Sequence, residues 1–521
     1  MALAQWRKAI GAEAVLNGAD ASVRYARDTS HLTRTIPAAL YPKDTNQVQA
    51  VVRIAQLHGV PLYPISTGRN WGYGTALQAS EGGVIVDLSC MNRIISLDSE
   101  LGLVTLEPGV TQQHLRAYLD ERKLNFMVPV TGGGPGCSLV GNALERGYGP
   151  APYTDHFLAV TALEAVLPTG ELYRSPILEL GSPDTRAVFK WGIGPYLDGL
   201  FAQGNFGIVT NMTLALAHQP EQVCASFFLV ERDEQLEQVV TALRALLRTA
   251  GSNVGAVNIL SDLRMLATMG IPYPRSLATP GGGLPRPVIA ELSRRAQVPA
   301  WMGVVPMYGT PAHIAATRAL FDRVVGPCVQ RVIHVDAGAD DGTPQAQLDL
   351  IAGRPSELSL HMPYWKSGRK PKEGPMDPAR DGCGLIWYTP VVPMQAQSVR
   401  RYLDLARRVC ARYGIEAPVT LTGLSERAFD SSLALLFSPD DEQESARAEA
   451  CYRALLAEGR AEGFVPYRVG SYFMPLIVTE AYTCWRMGSR LQEALDPGGI
   501  LAPGRYALPR RVKSTKKQAD E

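Results

Sequence analysis

One short segment of the chain combines closely spaced glycines with polar side chains. It is TGRNWGYG, at Thr67–Gly74, and it follows an apolar stretch that predicts a strand. Glycine tolerates positive φ angles and close approach of the backbone, so successive N–H groups can converge on phosphates, with Arg69 and Asn70 as further donors. The spacing is neither GxGxxG nor GxxxxGKS/T, which argues against a Rossmann motif or a nucleoside-triphosphate loop. For this segment alone, a tight structural loop is an equal alternative.

Two further segments are also rich in glycine. They are Val130–Phe157 and Phe189–Leu216, and the second contains GNFGIVT at Gly204–Thr210. Glycine at this density predicts backbone that packs against a flat ligand, and GNFGIVT would lie along the edge of that ligand before a strand begins. Turns alone do not account for three such segments between residues 67 and 216. Together they predict an extended cofactor with a flat ring.

The elements that would position these segments are mixed. Hydrophobic periodicity predicts a helix over Asn46–His58, capped by Thr45 and stopped by Gly59. Alternation and turn residues predict further elements, which are strands at Val60–Ser66, Gly82–Ser89 and Gly102–Gly109, a helix at Gln112–Leu124, and a hairpin at Ala162–Ser175. This is an α+β pattern and not a strict alternation of strand and helix.

The pattern changes from about Ser226. Three pairings of a strand with a helix are predicted there: Phe227–Asp233 with Leu236–Thr249, Cys383–Val392 with Gln397–Tyr413, and Pro418–Leu424 with Ser445–Gly463. Sheet strands backed by helices predict a second, smaller domain. The loops Ala278–Pro287 and Lys366–Gly382 are long and rich in proline and glycine, and we interpret them as lids, interface loops or mobile segments.

Composition excludes several classes of function. The 521 residues are 46% hydrophobic and carry a formal net charge of +1, which gives no electrostatic basis for binding nucleic acid or an anionic membrane. No run reaches the roughly 18 apolar residues that span a bilayer, and the N-terminus lacks the apolar core of a signal peptide, so we expect a cytoplasmic protein. The eight cysteines form no CxxC and no zinc-spaced cluster, which predicts free thiols and no metal site.

Several motifs together carry a family resemblance that extends over residues 41–508. They are YPKDTNQVQAVVRIAQLHGVPL, STGRNWGYG, EPGVT, VGNALERGYG, PYTDHF, GPYLDGLFAQGNFGIVT and DPGGILAPGR. The sequence resembles the vanillyl-alcohol oxidase/p-cresol methylhydroxylase (PCMH) flavoproteins, and most of all their 4-alkylphenol-oxidising branch. The resemblance implies an α+β, two-domain flavoprotein whose PCMH-type FAD-binding domain comprises residues 1–225 and 470–521. An α/β substrate cap, residues 226–469, would be inserted between them, with the active site at the interface on the flavin ring.

The resemblance also implies a catalytic triplet. The phenol-oxidising members bind the substrate hydroxyl as phenolate with two tyrosines and an arginine, and the matching motifs place these at Tyr73, Tyr467 and Arg468. A phenol has a pKa of about 10, so its anion at neutral pH requires a fixed positive charge and hydrogen-bond donors. The phenolate then drives a para benzylic hydride to the flavin and leaves a quinone methide. The alternatives are that each tyrosine is a packed amphipathic side chain and that the Tyr–Arg pair is a surface feature.

The same motifs imply which residues contact FAD. Arg505 in APGR would meet the flavin or its phosphates. The full set is Pro64, Ser66, Thr67, Gly68, Arg69, Asn70, Gly74, Gly136, Cys137, Ser138, Gly141, Asn142, Glu145, Arg146, Gly147, Gly207, Ile208, Val209 and Arg505.

Three positions depart from the family pattern. Where relatives carry a histidine or tyrosine that tethers FAD covalently, this chain has Leu385 and Pro363, so the candidates for a tether are Cys137 and Tyr364, which is next to Pro363. A buried free thiol is the alternative for Cys137. An acidic residue near the flavin N5 of several oxidases is replaced by Gly133.

These departures leave alternatives for the function. The main hypothesis is removal of a benzylic hydride from a para-substituted phenol, with O2, a cytochrome or another acceptor receiving the electrons. The alternatives are a biosynthetic FAD oxidase with a bulkier or non-phenolic substrate and a non-catalytic flavin-binding subunit. The resemblance further implies a small aromatic substrate and a homodimer.

Overall fold

A computed structural model describes residues 1–338 and 345–509 of the chain. The first part builds a four-stranded sheet and the helices around it. Strands β1 (Val15–Asn17), β2 (Ala38–Leu40), β3 (Leu62–Ile65) and β4 (Val84–Asp87) lie in the order β1-β2-β4-β3. Strand β4 is parallel to both β2 and β3, whereas β1 is antiparallel to β2. The helices are α1 (Ala2–Ile10), α2 (Gly18–Tyr25) and α3 (Thr45–His58).

Helix α3 shows how local sequence determines an element. Its four apolar residues at helical spacing are fully buried against the first sheet, and Gly59 ends the helix with a φ of 61°. The prediction of Thr45 as the cap is wrong. Asp44 caps instead, because its carboxylate accepts a hydrogen bond from the Gln47 N–H at 2.9 Å, and Thr45 becomes the first helical residue.

The second sheet has five antiparallel strands. These are β5 (Ile94–Asp98), β6 (Leu103–Leu106), β7 (Val160–Val166), β8 (Leu172–Arg174) and β9 (Ile208–Ala215), in the order β5-β6-β9-β7-β8. The predicted hairpin is confirmed, since Val166 pairs with Leu172. The associated helices are α4 (Gln112–Glu121), α5 (Leu139–Leu144) and α6 (Pro176–Leu180).

The third sheet has eight antiparallel strands. They are β10 (Gln222–Val230), β11 (Val257–Ser261), β12 (Trp301–Gly309), β13 (Arg331–Asp336), β14 (Gly384–Pro393), β15 (Val419–Gly423), β16 (Ala428–Phe437) and β17 (Pro466–Arg468), in the order β13-β10-β12-β11-β15-β16-β14-β17. The helices of this part are α7 (Leu236–Ala250), α8 (Asp262–Thr268), α9 (Arg286–Arg295), α10 (Pro311–Val324), α11 (Gln345–Ile351), α12 (His361–Ser367), α13 (Ala396–Arg412) and α14 (Glu442–Ala461). The predicted pairing of Pro418–Leu424 directly with a helix is wrong, because β16 lies between them.

The two faces of the third sheet differ. On one face α7, α10, α13 and α14 cover a core of fully buried side chains that includes Phe228, Leu421 and Tyr388. Since successive side chains of a strand point to opposite faces, their neighbours Leu229 and Thr422 face the other way, where they line a large cavity. Alternation along the strands therefore separates a structural face from a cavity face.

The end of the described chain returns to the first sheet. After α15 (Met474–Ile477) and α16 (Thr483–Leu495), Leu501 forms a parallel bridge with Leu62. The Leu62 N–H donates to the Ile500 carbonyl at 2.7 Å, and the Ala502 N–H donates back to Leu62 at 2.8 Å. The division into residues 1–225, 226–469 and 470–521 stays a prediction that suits this arrangement. Within the described ranges, no helix is both long and apolar enough to cross a membrane.

Candidate active site

A cavity of about 740 Å³ lies between the glycine-rich segments and the cavity face of the third sheet. Most of the residues predicted to contact a cofactor line it: Pro64, Ser66, Thr67, Gly68, Arg69, Asn70, Cys137, Ser138, Gly141, Asn142, Glu145, Gly147, Gly207, Ile208, Val209 and Arg505. Tyr73, Tyr467 and Arg468 line it as well. The tertiary structure thus brings three separate segments and the C-terminal arginine to one site.

Three predicted contact residues do not line this cavity. Gly74, with a φ of 112°, packs where a Cβ would overlap Ser471 of the C-terminal part. Gly136 leaves room for Arg69, whose Cζ would lie 2.7 Å from a Cβ at that position. The side chain of Arg146 is exposed. The first two glycines therefore serve close packing behind the cavity wall.

The first glycine-rich segment is shaped by contacts with the third sheet. At Gly72, with a φ of 78°, a Cβ would overlap the indole of Trp387. The Gly72 carbonyl accepts a hydrogen bond from the Trp387 N–H at 3.2 Å, and the Gly72 N–H donates to Thr29 Oγ1 at 2.9 Å. A bare backbone is required here, since an L-residue would meet both the strained φ and the indole.

The second segment turns into α5. Ser138 caps this helix by accepting from the Gly141 N–H at 2.9 Å, and its own N–H donates to Thr67 Oγ1 at 3.2 Å. At Gly141 a Cβ would overlap the side chain of Ser66. The backbone of the second segment therefore packs directly against Ser66, the residue before the first segment. Asn142 is held by His156, whose Nδ1 lies 2.5 Å from Asn142 Oδ1. Burial lowers the pKa of His156 to about 4, so the ring is neutral at neutral pH.

The strand β17 positions the tyrosine–arginine pair. It adds to the edge of the third sheet, where Arg468 pairs with Thr389 of β14. The chain then runs past the first glycine-rich segment, and the Ser471 N–H donates to the Tyr73 carbonyl at 3.1 Å. As a result, the Arg468 Cζ lies 4.1 Å from the centre of the Tyr73 ring. The predicted triplet is therefore brought together.

A third tyrosine belongs to this cluster and was not predicted. The Tyr148 ring centre lies 5.9 Å from that of Tyr467, and Tyr148 lines the cavity. Tyr467 lies near enough to lower the pKa of both Tyr73 and Tyr148, and Thr422 likewise acts on Tyr148. The sequence signal was its place in RGYG of the second glycine-rich segment.

All three tyrosines are neutral donors at neutral pH. Burial raises the pKa of Tyr73, and the nearby Arg468 charge opposes that shift. Burial likewise raises the pKa of Tyr148 and holds that of Tyr467 well above its ordinary value. Asp430, half-buried near the cluster, raises the pKa of these hydroxyls further, and burial raises its own pKa to about 6. Neutral O–H groups beside a guanidinium can stabilise an oxyanion.

Glu145 connects two of the cavity's arginines. Its Oε2 lies 3.2 Å from Arg468 Nε, and its Oε1 accepts from Arg505. Burial opposes ionisation of Glu145, but the charges of Arg505 and Arg468 hold its pKa below the usual value. Arg468 also donates to the Asn70 side chain. One carboxylate between two guanidiniums leaves a net positive charge at this end of the cavity.

The two tether candidates are placed differently. Cys137 lines the cavity, where its thiol lies 3.0 Å from the Gly133 carbonyl and burial raises its pKa to about 12. Tyr364 is not among the described residues that line the cavity, and its hydroxyl donates to Asp381 at 2.6 Å. Pro363 and Leu385 do line the cavity, and neither is a nucleophile. Among the described lining residues, Glu145 is the sole carboxylate.

These residues fit FAD. Glycine-rich backbone forms much of one wall, Ile208, Val209 and Val140 supply apolar surface for a flat ring, and Arg69 and Arg505 supply positive charge for an anionic cofactor. Bound there, the flavin would accept a hydride. The remaining wall, on the third sheet, is free to contact a substrate.

Comparison with known proteins identifies the family of this chain. The sequence profile of a family described as FAD binding domain matches residues 36–175. The chain belongs to the vanillyl-alcohol oxidase/p-cresol methylhydroxylase family and is an FAD-dependent oxidoreductase. The predicted fold class, a PCMH-type FAD-binding fold, is confirmed.

Two relatives match nearly the whole chain. One is the 1'-carboxy-chondrochloren decarboxylase of Chondromyces crocatus, 34% identical over 97% of this chain and 96% of that protein. The other is the 4-cresol dehydrogenase (hydroxylating) flavoprotein subunit of Pseudomonas putida, 30% identical over 97% and 95%.

Two solved structures are also similar along nearly their full length. A p-cresol methylhydroxylase with substrate bound has a TM-score of 0.90 at 29% identity, covering 98% of this chain and 96% of that chain. A 4-ethylphenol oxidase from Gulosibacter chungangensis has a TM-score of 0.88 at 23% identity over 98% and 97%, which shows the fold alone.

Proposed function

We propose that this enzyme removes a hydride from the benzylic carbon of a para-substituted phenol. The observation that carries the proposal is the cluster in which the Arg468 guanidinium lies 4.1 Å from the Tyr73 ring, beside Tyr467 and Tyr148. A cation and neutral hydroxyls converge there on a cavity that also has the walls for a flavin. Such a cluster can bind a phenolate oxygen through its positive charge and its hydrogen-bond donors.

The proposed role of the cluster is to hold the substrate as its anion. A free phenol is neutral at pH 7, so its ionisation in the cavity depends on Arg468 and on hydrogen bonds from the tyrosines. The negative charge can then be delocalised through the ring to the para carbon, which weakens the benzylic C–H bond towards hydride loss. Bound FAD supplies the hydride acceptor. The product of this step is a quinone methide.

A second candidate is oxidative decarboxylation of a bulkier para-hydroxyphenyl compound. The observation in its favour is that the sole carboxylate among the described lining residues, Glu145, is held by two arginines and is not free to activate water. In a substrate with a carboxylate on the carbon next to the benzylic one, the quinone methide can lose CO2. The electrons of the broken C–C bond restore the aromatic ring and leave an alkene. One relative is, by its name, a decarboxylase.

We propose O2 or a cytochrome as the acceptor of the flavin's electrons. The 4-cresol relative is named a flavoprotein subunit, which supports a separate electron-accepting partner. The family resemblance supports a homodimer, which light scattering of the purified protein tests directly. A cytoplasmic location is likewise part of the proposal.

An anaerobic spectrum of the purified holoenzyme tests the proposed function. Addition of 4-ethylphenol should bleach the flavin, and admission of air should restore it if the enzyme is an oxidase. Restoration only by cytochrome c or an artificial acceptor would identify a dehydrogenase. If no 4-alkylphenol bleaches the flavin, while the matching 3-(4-hydroxyphenyl)propanoate releases CO2, the second candidate replaces the first. Failure of both groups of compounds contradicts the proposal.

A further inference from the structure

Arg264 places a guanidinium in the cavity wall without a counter-ion. It lies on α8, which Ser261 caps by accepting from the Arg264 N–H at 3.3 Å. The Nε atom is fully buried and has no hydrogen-bond partner, and Nη1 contacts the thioether of Met362. Its Cζ lies 5.4 Å from the ring centre of Trp387. No carboxylate in the described part of the chain lies within ion-pairing distance of this side chain.

An unpaired guanidinium in the cavity wall lowers the stability of the folded protein. Burial lowers the pKa of Arg264 to about 10, so the side chain still carries its charge at neutral pH. A methionine sulfur is only a weak acceptor and cannot compensate for the lost water. Three other cations with little exposure are paired: Arg468 and Arg505 share Glu145, and Lys366 contacts Glu416 at 2.6 Å. Arg264 is therefore arranged to receive an anion from outside the chain.

The position of Arg264 relates it to the phenol site. The indole of Trp387 lies over the guanidinium, and the same indole touches Gly72, the residue before Tyr73. Tyr148 opposes the lowering of the Arg264 pKa by burial, so the two side chains are within electrostatic reach. Arg264 thus lines the same cavity as the tyrosine cluster.

The chemistry of the wall around Arg264 limits what the anion can be. Met265, Met302 and Leu360 line the cavity and pack in one apolar cluster with Trp387, so they add no second cation for a dianion. A guanidinium matches a carboxylate geometrically and forms two parallel hydrogen bonds to it. A single-charged carboxylate is compensated by one arginine, whereas a phosphate monoester would retain uncompensated charge.

We propose that Arg264 binds a carboxylate on the side chain of the substrate, so that the substrate is a para-hydroxyphenyl compound with an anionic tail. Its phenolic oxygen is held by Tyr73, Tyr467 and Arg468, and its carboxylate by Arg264. This inference rests on the proposed function for the phenolic end, and it adds the class of the side chain. A neutral 4-alkylphenol would leave Arg264 uncompensated in the complex.

The test compares two ligands that cannot be oxidised, 4-hydroxycinnamate and its neutral amide, because neither has an sp³ benzylic C–H bond. Dissociation constants are measured on the holoenzyme by isothermal titration calorimetry and by the shift of the flavin spectrum. The wild type should bind the acid at least about tenfold more tightly than the amide, as expected for a charge-assisted pair. Arg264→Gln should lose this preference and leave the amide's dissociation constant within about twofold.

A surface variant controls for the change in net charge. Arg248→Gln removes an exposed arginine of α7 and should keep the preference for the acid. Equal binding of acid and amide by the wild type, a preference that persists in Arg264→Gln, or binding of neither ligand would each overturn the inference. Bleaching by 4-ethylphenol is scored separately. Hence a carboxylate site can survive the failure of the proposed oxidation, and the oxidation can survive the loss of the carboxylate site.

Discussion

The Arg468 guanidinium lies 4.1 Å from the centre of the Tyr73 ring, although the two residues come from opposite ends of the chain. The arginine ends the last strand of the third sheet, and the tyrosine belongs to the first glycine-rich segment. Their contact joins the cavity face of the third sheet to the segment that we assign to the cofactor. A substrate bound at this contact would meet the flavin and the cation together.

Loss of one tyrosine hydroxyl should slow hydride removal much more than it weakens substrate binding. Tyr73→Phe and Tyr467→Phe each remove a neutral donor from the phenolate site, and such a donor is worth about a hundredfold in rate. The measurement is the anaerobic rate of flavin reduction by 4-ethylphenol in a stopped-flow instrument. The control is Tyr482→Phe, which removes an exposed hydroxyl away from the cavity and should leave the rate of flavin reduction unchanged. Wild-type rates in both cavity variants would refute the assigned role.

Replacement of Gly72 should damage the site through Trp387. In Gly72→Ala the new Cβ overlaps the indole and must also adopt a φ of 78°. Gly82→Ala is a matched control, because its φ of 81° carries a similar strain but no atom lies within 4 Å of its Cβ. Backbone strain should lower the free energy of unfolding of both variants by about 1 kcal/mol. Only Gly72→Ala should also lose bound FAD and flavin reduction. Equal effects would show that the indole contact is unimportant.

Removal of the Glu145 carboxylate should destabilise the protein at neutral pH. In Glu145→Gln two buried arginines lose their shared partner, and breaking a buried pair costs about 3–5 kcal/mol. We expect the midpoint of thermal unfolding to fall by several degrees in calorimetry. The control is Glu81→Gln, which removes an exposed partner of Arg34 and should change the midpoint of thermal unfolding very little.

The same carboxylate predicts how that difference depends on pH. The pKa of Glu145 in the folded protein is below its value in the unfolded chain, which is about 4.3. The stability that the ionised Glu145 carboxylate contributes to the folded protein is therefore complete above about pH 4.3. It disappears as the pH falls through the folded-state pKa. The stability gap between wild type and Glu145→Gln should narrow below about pH 4. A gap that widens in acid would contradict the ion-pair arrangement.

We expect FAD to be released when the protein is denatured. The Cys137 thiol contacts the Gly133 carbonyl, and its pKa of about 12 leaves almost no thiolate at neutral pH. Tyr364 donates to Asp381 and does not line the cavity. Acid precipitation should therefore leave the yellow colour in the supernatant for wild type, Cys137→Ala and Tyr364→Phe alike. Flavin that stays with wild-type protein but leaves Cys137→Ala would demonstrate a cysteinyl tether.

Features whose physical cause is local could be predicted from the amino-acid sequence. Helix α3 follows from helical spacing and from Gly59 at its end, and only its cap was assigned one residue too late, since Asp44 and Thr45 are both good caps. The glycine-rich segments follow from their composition, because backbone that meets a ligand or an indole must be bare. Family motifs supplied Tyr73, Tyr467 and Arg468.

Contacts between residues that are distant in the sequence could not be predicted in this way. Glu145 between Arg468 and Arg505, Tyr148 beside Tyr467, and the solitary charge of Arg264 depend on how the third sheet packs over the glycine-rich segments. A strand's alternation divides its residues between two faces, but the sequence does not say which face meets helices and which meets a cavity. Electrostatic partners are determined by that packing, because a charge responds to whatever lies within a few ångströms in space and not along the chain.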